Sequence, residues 1–333
     1  MSSGHSWFLS RLSFRSLHLT TRGLTNYGLS CCVNSLLQTL CATWELTELL
    51  DKWESSVNRD DERNVPLQLK RVLSALKSNT HQPVSPRDLL RCLDRHSIPL
   101  NVQHDADEVF LALLNLVQQQ IGDRVLALEI QTLYKISVEA HLQCLECTTD
   151  QTHRSFLLSL PLHIKEDHNS LEECMTSYFK HQELRGRNCC YCKQCGVKTP
   201  SKQGFKLLSL PAILRVHLKR FRSNGSYTRK VDSQVTFPET LDLSVILKDA
   251  FSSEFTQNDC MYTLYAVVVH SSSAMFGHYT AYVHHTVNQR WYYANDSHVQ
   301  QTSWEEVKTT YGGCHRPTAY MLMYRRGSGS GGQ

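Results

Sequence analysis

Apolar residues in the first third of the chain recur at helical spacing. Behind Ser30, a plausible N-cap, Leu36, Leu37, Leu40 and Trp44 continue a helix that opens at Cys31. Leu67, Leu69, Val72, Leu73 and Leu76 predict a second amphipathic helix over 66–77, and Val109, Phe110, Leu113, Leu114 and Val117 a third over 105–120. Ser85-Pro86 reads as a cap with a first-turn proline, opening a helix through Leu93. The period then shortens. Stretches 133–138, 156–160, 213–218 and 262–269 read as strands, followed by 277–283 and 291–297. Helices first and strands later predict an α+β chain rather than an alternating βαβ one. No solenoid-length repeat or convincing linker divides it, so one catalytic domain with subdomains is expected.

Composition narrows the class. With 41% hydrophobic and 20% charged residues the chain can build a core. Its longest apolar runs, such as 265–269, are too short to cross a bilayer as a helix, and no membrane association is expected. A net charge of +4 is too small to point to nucleic acid. Thirteen cysteines, an odd number without a secretory core, suggest reduced thiols, metal ligands or a nucleophile in a cytosolic or nuclear protein. Residues 1–44 hold no Asp or Glu while Arg11, Arg15 and Arg22 lie among serines and apolar residues. That composition overlaps organelle-targeting segments, but a short flexible lead-in is the plainer reading. The last stretch, 327–333, has linker composition.

Three regions carry candidate chemistry. In 23–35 a glycine-bearing loop enters a helix whose first turn holds Cys31. Free N–H groups and partial positive charge at a helix start favour a thiolate and can hold an oxyanion, to which Asn26 can add its amide. Cys32 keeps the reading of a buried core thiol. His278 follows Gly277 at the start of a strand and offers a base of the right strength. The strand ending at 295–296 offers Asn295 or Asp296 to fix its tautomer. Finally, Cys144-x-x-Cys147 and Cys192-x-x-Cys195 supply four thiolates, the ligand set of one closed structural zinc site. Cys189 and Cys190 lie close enough to complicate the assignment.

Together these residues resemble the ubiquitin-specific protease family. The likeness runs through Gly23-Leu24, Asn26, Gly28, Ser30-Cys31, Asn34-Ser35 and Leu37-Gln38, then 103–108, 210–221 and 235–243. It closes on Tyr262, Leu264, Ala266-Val267, His270, Gly277-His278-Tyr279, Trp291-Tyr292 and Asn295-Asp296, and spans about 23–326. The resemblance implies a papain-like hand, with a helical thumb over 23–132, zinc-bearing β fingers over 133–205 and a β palm over 206–326. It implies thiol-dependent hydrolysis after the Gly-Gly end of a ubiquitin-like modifier, by Cys31, His278 and Asn295. Asp105 and Glu108 would take the tail's arginines, with Gln103, Gly277 and Tyr279 along the cleft. The double Cys31-Cys32, the short N-terminal arm and the compact length look most like the branch that acts on the two-domain interferon-stimulated modifier. That branch implies modifier conjugates as partners, an added docking role on a cytokine receptor tail, and a monomer. General activity on ubiquitin, or a binding scaffold with little turnover, are the alternatives.

Overall fold

The computed structural model describes residues 22–53, 61–78, 80–257, 259–314 and 316–327, and among these six α-helices precede the first strand. The lead-in and the linker-like tail lie outside these residues, apart from Arg22 and Gly327. The helices are α1 (Cys31–Ala42), α2 (Trp44–Lys52), α3 (Val65–Leu76), α4 (Arg87–Asp94), α5 (Ala106–Gln120) and α6 (Arg124–Tyr134). Helix α1 is buried along every residue from Cys31 to Cys41, polar ones included, so it is the axis of the helical layer. Trp44 falls beyond it. The chain breaks at Thr43, whose hydroxyl donates to the Thr39 carbonyl at 2.8 Å and meets the Tyr265 hydroxyl at 2.7 Å.

Capping explains where the other helices start. Asn64 accepts from Leu67 N–H at the head of α3, Asp105 caps α5 and Asp123 caps α6. Two expectations shift. Pro86 sits at the N-cap of α4 rather than inside its first turn. Leu133 and Tyr134 belong to α6, not to a strand, because Leu126, Ile130 and Tyr134 repeat every fourth residue and are buried together.

The strands form two principal sheets. In the smaller, β2 (Asp150–Leu157), β1 (Ile136–Cys144), β7 (Ser201–Ser209) and β4 (Gln182–Leu184) lie side by side in that order. A hairpin of β5 (Cys190–Cys192) and β6 (Val197–Thr199) stands nearby in sequence. The larger sheet runs β14 (His298–Thr302), β13 (Arg290–Asn295), β12 (Gly277–His285), β11 (Met261–Ser272), β15 (Thr318–Arg326), β8 (Ile213–Lys219) and β3 (Leu160–His163), with short Thr240–Asp242 beside β11, while β9 (Phe221–Asn224) and β10 (Tyr227–Lys230) pair as a separate hairpin. The expected strand over 156–160 is thus split at Leu158-Ser159. Its second part, β3, pairs in parallel with β8 and joins the palm sheet although it lies inside the stretch assigned to the fingers, while β7 runs past the expected finger limit.

The large sheet is covered on both faces, which is why β11 reads as an unbroken apolar run. Ala266 and Val268 pack against the helical layer, and Val267 and Val269 pack into a second core with α7 (Leu171–Phe179). Helix α1 lies against β12 and so brings the N-terminal loop to the His278 strand.

Candidate active site

Cys31 is the first residue of α1 and is 5% exposed. Ser30 takes the N-cap position without capping the helix. Its hydroxyl accepts from Tyr27 N–H at 2.9 Å and donates to Asn26 Oδ1 at 3.2 Å, stiffening the loop instead. That leaves the first N–H groups of α1 open around the sulfur. Gly23 is required here: a Cβ would lie 2.3 Å from the Ser297 carbonyl oxygen, so only glycine lets this loop press onto the turn after β13.

His278 stands across from the sulfur. Its Nε2–H donates to Asn295 Oδ1 at 2.7 Å, which leaves Nδ1 for the hydrogen bond with Cys31. That bond to Cys31 raises the imidazole pKa to about 9, with Asn295 helping and burial opposing. Between the two residues the sequence left open, Asn295 is therefore the one that touches the imidazole.

Asp296 has another task. Its Oδ2 accepts from Asn26 Nδ2 and its Oδ1 from Asn34 Nδ2, both at 2.8 Å, while its carbonyl accepts from Leu24 N–H at 2.8 Å. One carboxylate thus fixes the amide of Asn26 in the loop before Cys31 and locks α1 to the end of β13. The sequence reading quoted Asn34 in the family likeness but gave it no role. The available signal was its place one turn after Cys31, in a helix with no solvated face.

The acidic stretch divides by role. Asp105 Oδ1 accepts from Asp107 N–H at 2.8 Å and Glu108 N–H at 3.3 Å, so much of its capacity is spent on capping α5. The Glu108 carboxylate is exposed. Gln103 Nε2 donates to the Gly277 carbonyl at 2.8 Å, bridging the loop before α5 and the start of β12. Tyr279, expected along the cleft, is 1% exposed; its hydroxyl accepts from Ala106 N–H at 3.3 Å beneath the surface. Gly277 was expected to let the backbone approach; what needs its missing side chain is the buried ring of His270, whose Nε2 would lie 2.0 Å from a Cβ.

Cys144, Cys147, Cys192 and Cys195 bring their sulfurs within 4.8 Å of one another, with 3.9 Å between Cys144 and Cys195 and 3.5 Å between Cys147 and Cys192. Sulfurs on a tetrahedron about 2.3 Å from a zinc ion would lie roughly 3.8 Å apart, so the quartet has the size of a closed metal site. Cys190 points elsewhere, to the Asn188 carbonyl.

Residues 22–324 match the ubiquitin carboxyl-terminal hydrolase family. The chain belongs to that family. It is 36% identical over 315 residues to human Ubl carboxyl-terminal hydrolase 18, covering 91% of this chain and 84% of the human one. The mouse protein of the same name is 37% identical over 314 residues, with 91% and 85% covered. Ubiquitin carboxyl-terminal hydrolase 47 of Xenopus tropicalis is 28% identical over 375 residues, matching 91% of this chain but 28% of its own length. This hydrolase is accordingly a cysteine protease of papain-like, α+β architecture, and its substrates are ubiquitin-like modifiers and their conjugates.

Proposed function

We propose that this hydrolase removes a two-domain, interferon-stimulated ubiquitin-like modifier from conjugated proteins, cutting after its C-terminal Gly-Gly. The observation that carries the reaction is the line Cys31, His278, Asn295. The His278 imidazolium holds the Cys31 sulfur as thiolate, and the thiolate attacks the glycine carbonyl. Free N–H groups at the start of α1 and the Asn26 amide, held by Asp296, receive the oxyanion. His278 gives its proton to the departing lysine amine, leaving a thioester. It then takes a proton from water, which attacks the thioester and frees the modifier. Glu108, exposed at the head of α5, is placed to accept an arginine of the modifier tail.

The cysteine quartet would hold one zinc ion. Four sulfur ligands would leave no open position, so the quartet would tie the hairpin to β1 through the ion and supply nothing to hydrolysis. All thirteen cysteines are free thiols, which fits a reducing compartment, cytosolic or nuclear.

The modifier reading is supported by likeness: identity is higher to hydrolases named for Ubl substrates than to one named for ubiquitin. Its test is cleavage of matched fusions of the two-domain modifier and of ubiquitin under identical conditions. We expect kcat/KM about ten- to a hundredfold higher for the two-domain fusion, the discrimination that roughly 1–3 kcal/mol of added contact gives. Equal or better cleavage of ubiquitin would overturn the preference.

A further inference from the structure

Asp107 lies in the first turn of α5, where a solvated carboxylate would be ordinary. It is not solvated. Its side chain is 16% exposed, and both oxygens point to the palm strand β8. Oδ1 accepts from Arg215 Nη1 at 2.6 Å, and Oδ2 lies 3.3 Å from His217 Nδ1. Arg215 and His217 alternate with Leu214, Val216 and Leu218 along β8, so they share the face turned to the helices. Arg215 is fully buried, its guanidinium 4.2 Å over the Phe110 ring one turn along α5. His217 Nε2 lies 3.1 Å from the Tyr320 hydroxyl on β15.

These groups sit in a layer filled mainly by apolar side chains. Hydrophobic contact there fixes no direction, whereas a carboxylate shared between a guanidinium and an imidazole fixes one. The segment so fixed is the one that brings Gln103 to the Gly277 carbonyl and presents Glu108 to solvent, facing the strand that carries His278. We propose that Asp107, Arg215 and His217 form a positioning cluster that sets the separation between the head of α5 and the palm, and thereby the cleft through which the modifier tail reaches Cys31. The cluster touches neither Cys31 nor His278. Its effect falls on binding of the tail rather than on the chemical step.

This inference rests on the isopeptidase reading, and its test separates the two, because wild-type cleavage of a modifier fusion is the reference for every variant. Asp107→Ala strands the buried guanidinium, so it should lower stability and raise KM together. The double variant Asp107→Leu with Arg215→Met removes both charges and refills the space, so its melting temperature should return close to wild type. If the cluster positions the cleft, that stable double variant keeps a KM raised about tenfold, with kcat within about threefold of wild type. A double variant that regains wild-type KM along with stability would show the cluster to be structural support alone. An unchanged KM in Asp107→Ala would overturn the proposal as well.

Discussion

At the scale of residues, the chemistry of the site turns on what each polar side chain is tied to. The Cys31 sulfur is the main reason the His278 imidazole stays protonated up to about 9, so its removal has a direct readout. Cys31→Ala should abolish labelling by electrophilic C-terminal modifier probes while leaving modifier binding intact. Histidine-ring NMR on that variant should show the His278 titration falling from about 9 toward its ordinary range near 6.5. A raised histidine contributes stability that is complete below about 6.5 and is lost as pH climbs through 9. An unmoved titration, or labelling transferred to Cys32, would mean that another sulfur is the nucleophile. Asp296→Ala is the companion test. It frees Asn26 and Asn34 together, and we expect kcat to fall about 10²-fold, as when one oxyanion donor is lost, with KM changed little. Cys31, His278 and Asn295 were legible in the sequence because their chemical types declare them. The clamp by Asp296 was not, because its partners lie 262 and 270 residues away and only folding brings them near.

At the scale of elements, hydrophobic period located α1, α3 and α5 and the strands around His278, whose buried faces are regular, and the Ser85-Pro86 signal located α4. The period failed where exposed apolar residues blur the buried stripe, or where the element is too short to show a period. Helix α6 carries its three buried residues among exposed Val125 and Leu128, so its end was taken for a strand. The strands β4, β5 and β6 span three residues each, too short to show alternation. The hairpin of β5 and β6 has little apolar area of its own, Tyr191 and Val197 being exposed, so its hold on β1 should depend on the cysteine quartet. One zinc per chain is expected by elemental analysis of protein purified without chelator. Cys192→Ser should cost on the order of 3 kcal/mol, lowering the melting temperature by roughly 6–12 °C, before it slows cleavage by the folded fraction. Metal-free protein of unchanged stability would remove the structural role.

At the scale of the whole molecule, the helical layer and the large sheet meet at Cys31 and His278, so that juxtaposition depends on ties between segments far apart in the chain. The last strand supplies one. Arg325 on β15 pairs with Glu45 on α2, Nε to Oε1 at 2.5 Å and Nη2 to Oε2 at 3.1 Å, while Nη2 also donates to the Ala42 carbonyl at 2.9 Å. The guanidinium lies 4.1 Å over the Tyr265 ring, and the two side chains are 14% and 13% exposed. No sequence pattern marks this pair, because neither residue belongs to a motif and 280 positions separate them. It differs from the Asp107 cluster in one respect that decides its effect: α2 carries no residue of the cleft. Glu45→Ala leaves Arg325 with the Ala42 carbonyl but without its counter-charge. Truncating one side of a buried pair costs about 3–5 kcal/mol, and the slight exposure here argues for the lower end, so a fall of roughly 6–12 °C in melting temperature is expected. KM and kcat of the folded fraction, measured well below that transition, should stay at wild-type values. If Glu45→Ala raised KM as Asp107→Ala is expected to do, cleft geometry would be a property of the whole interface between helices and sheet, and no single cluster could be said to set it.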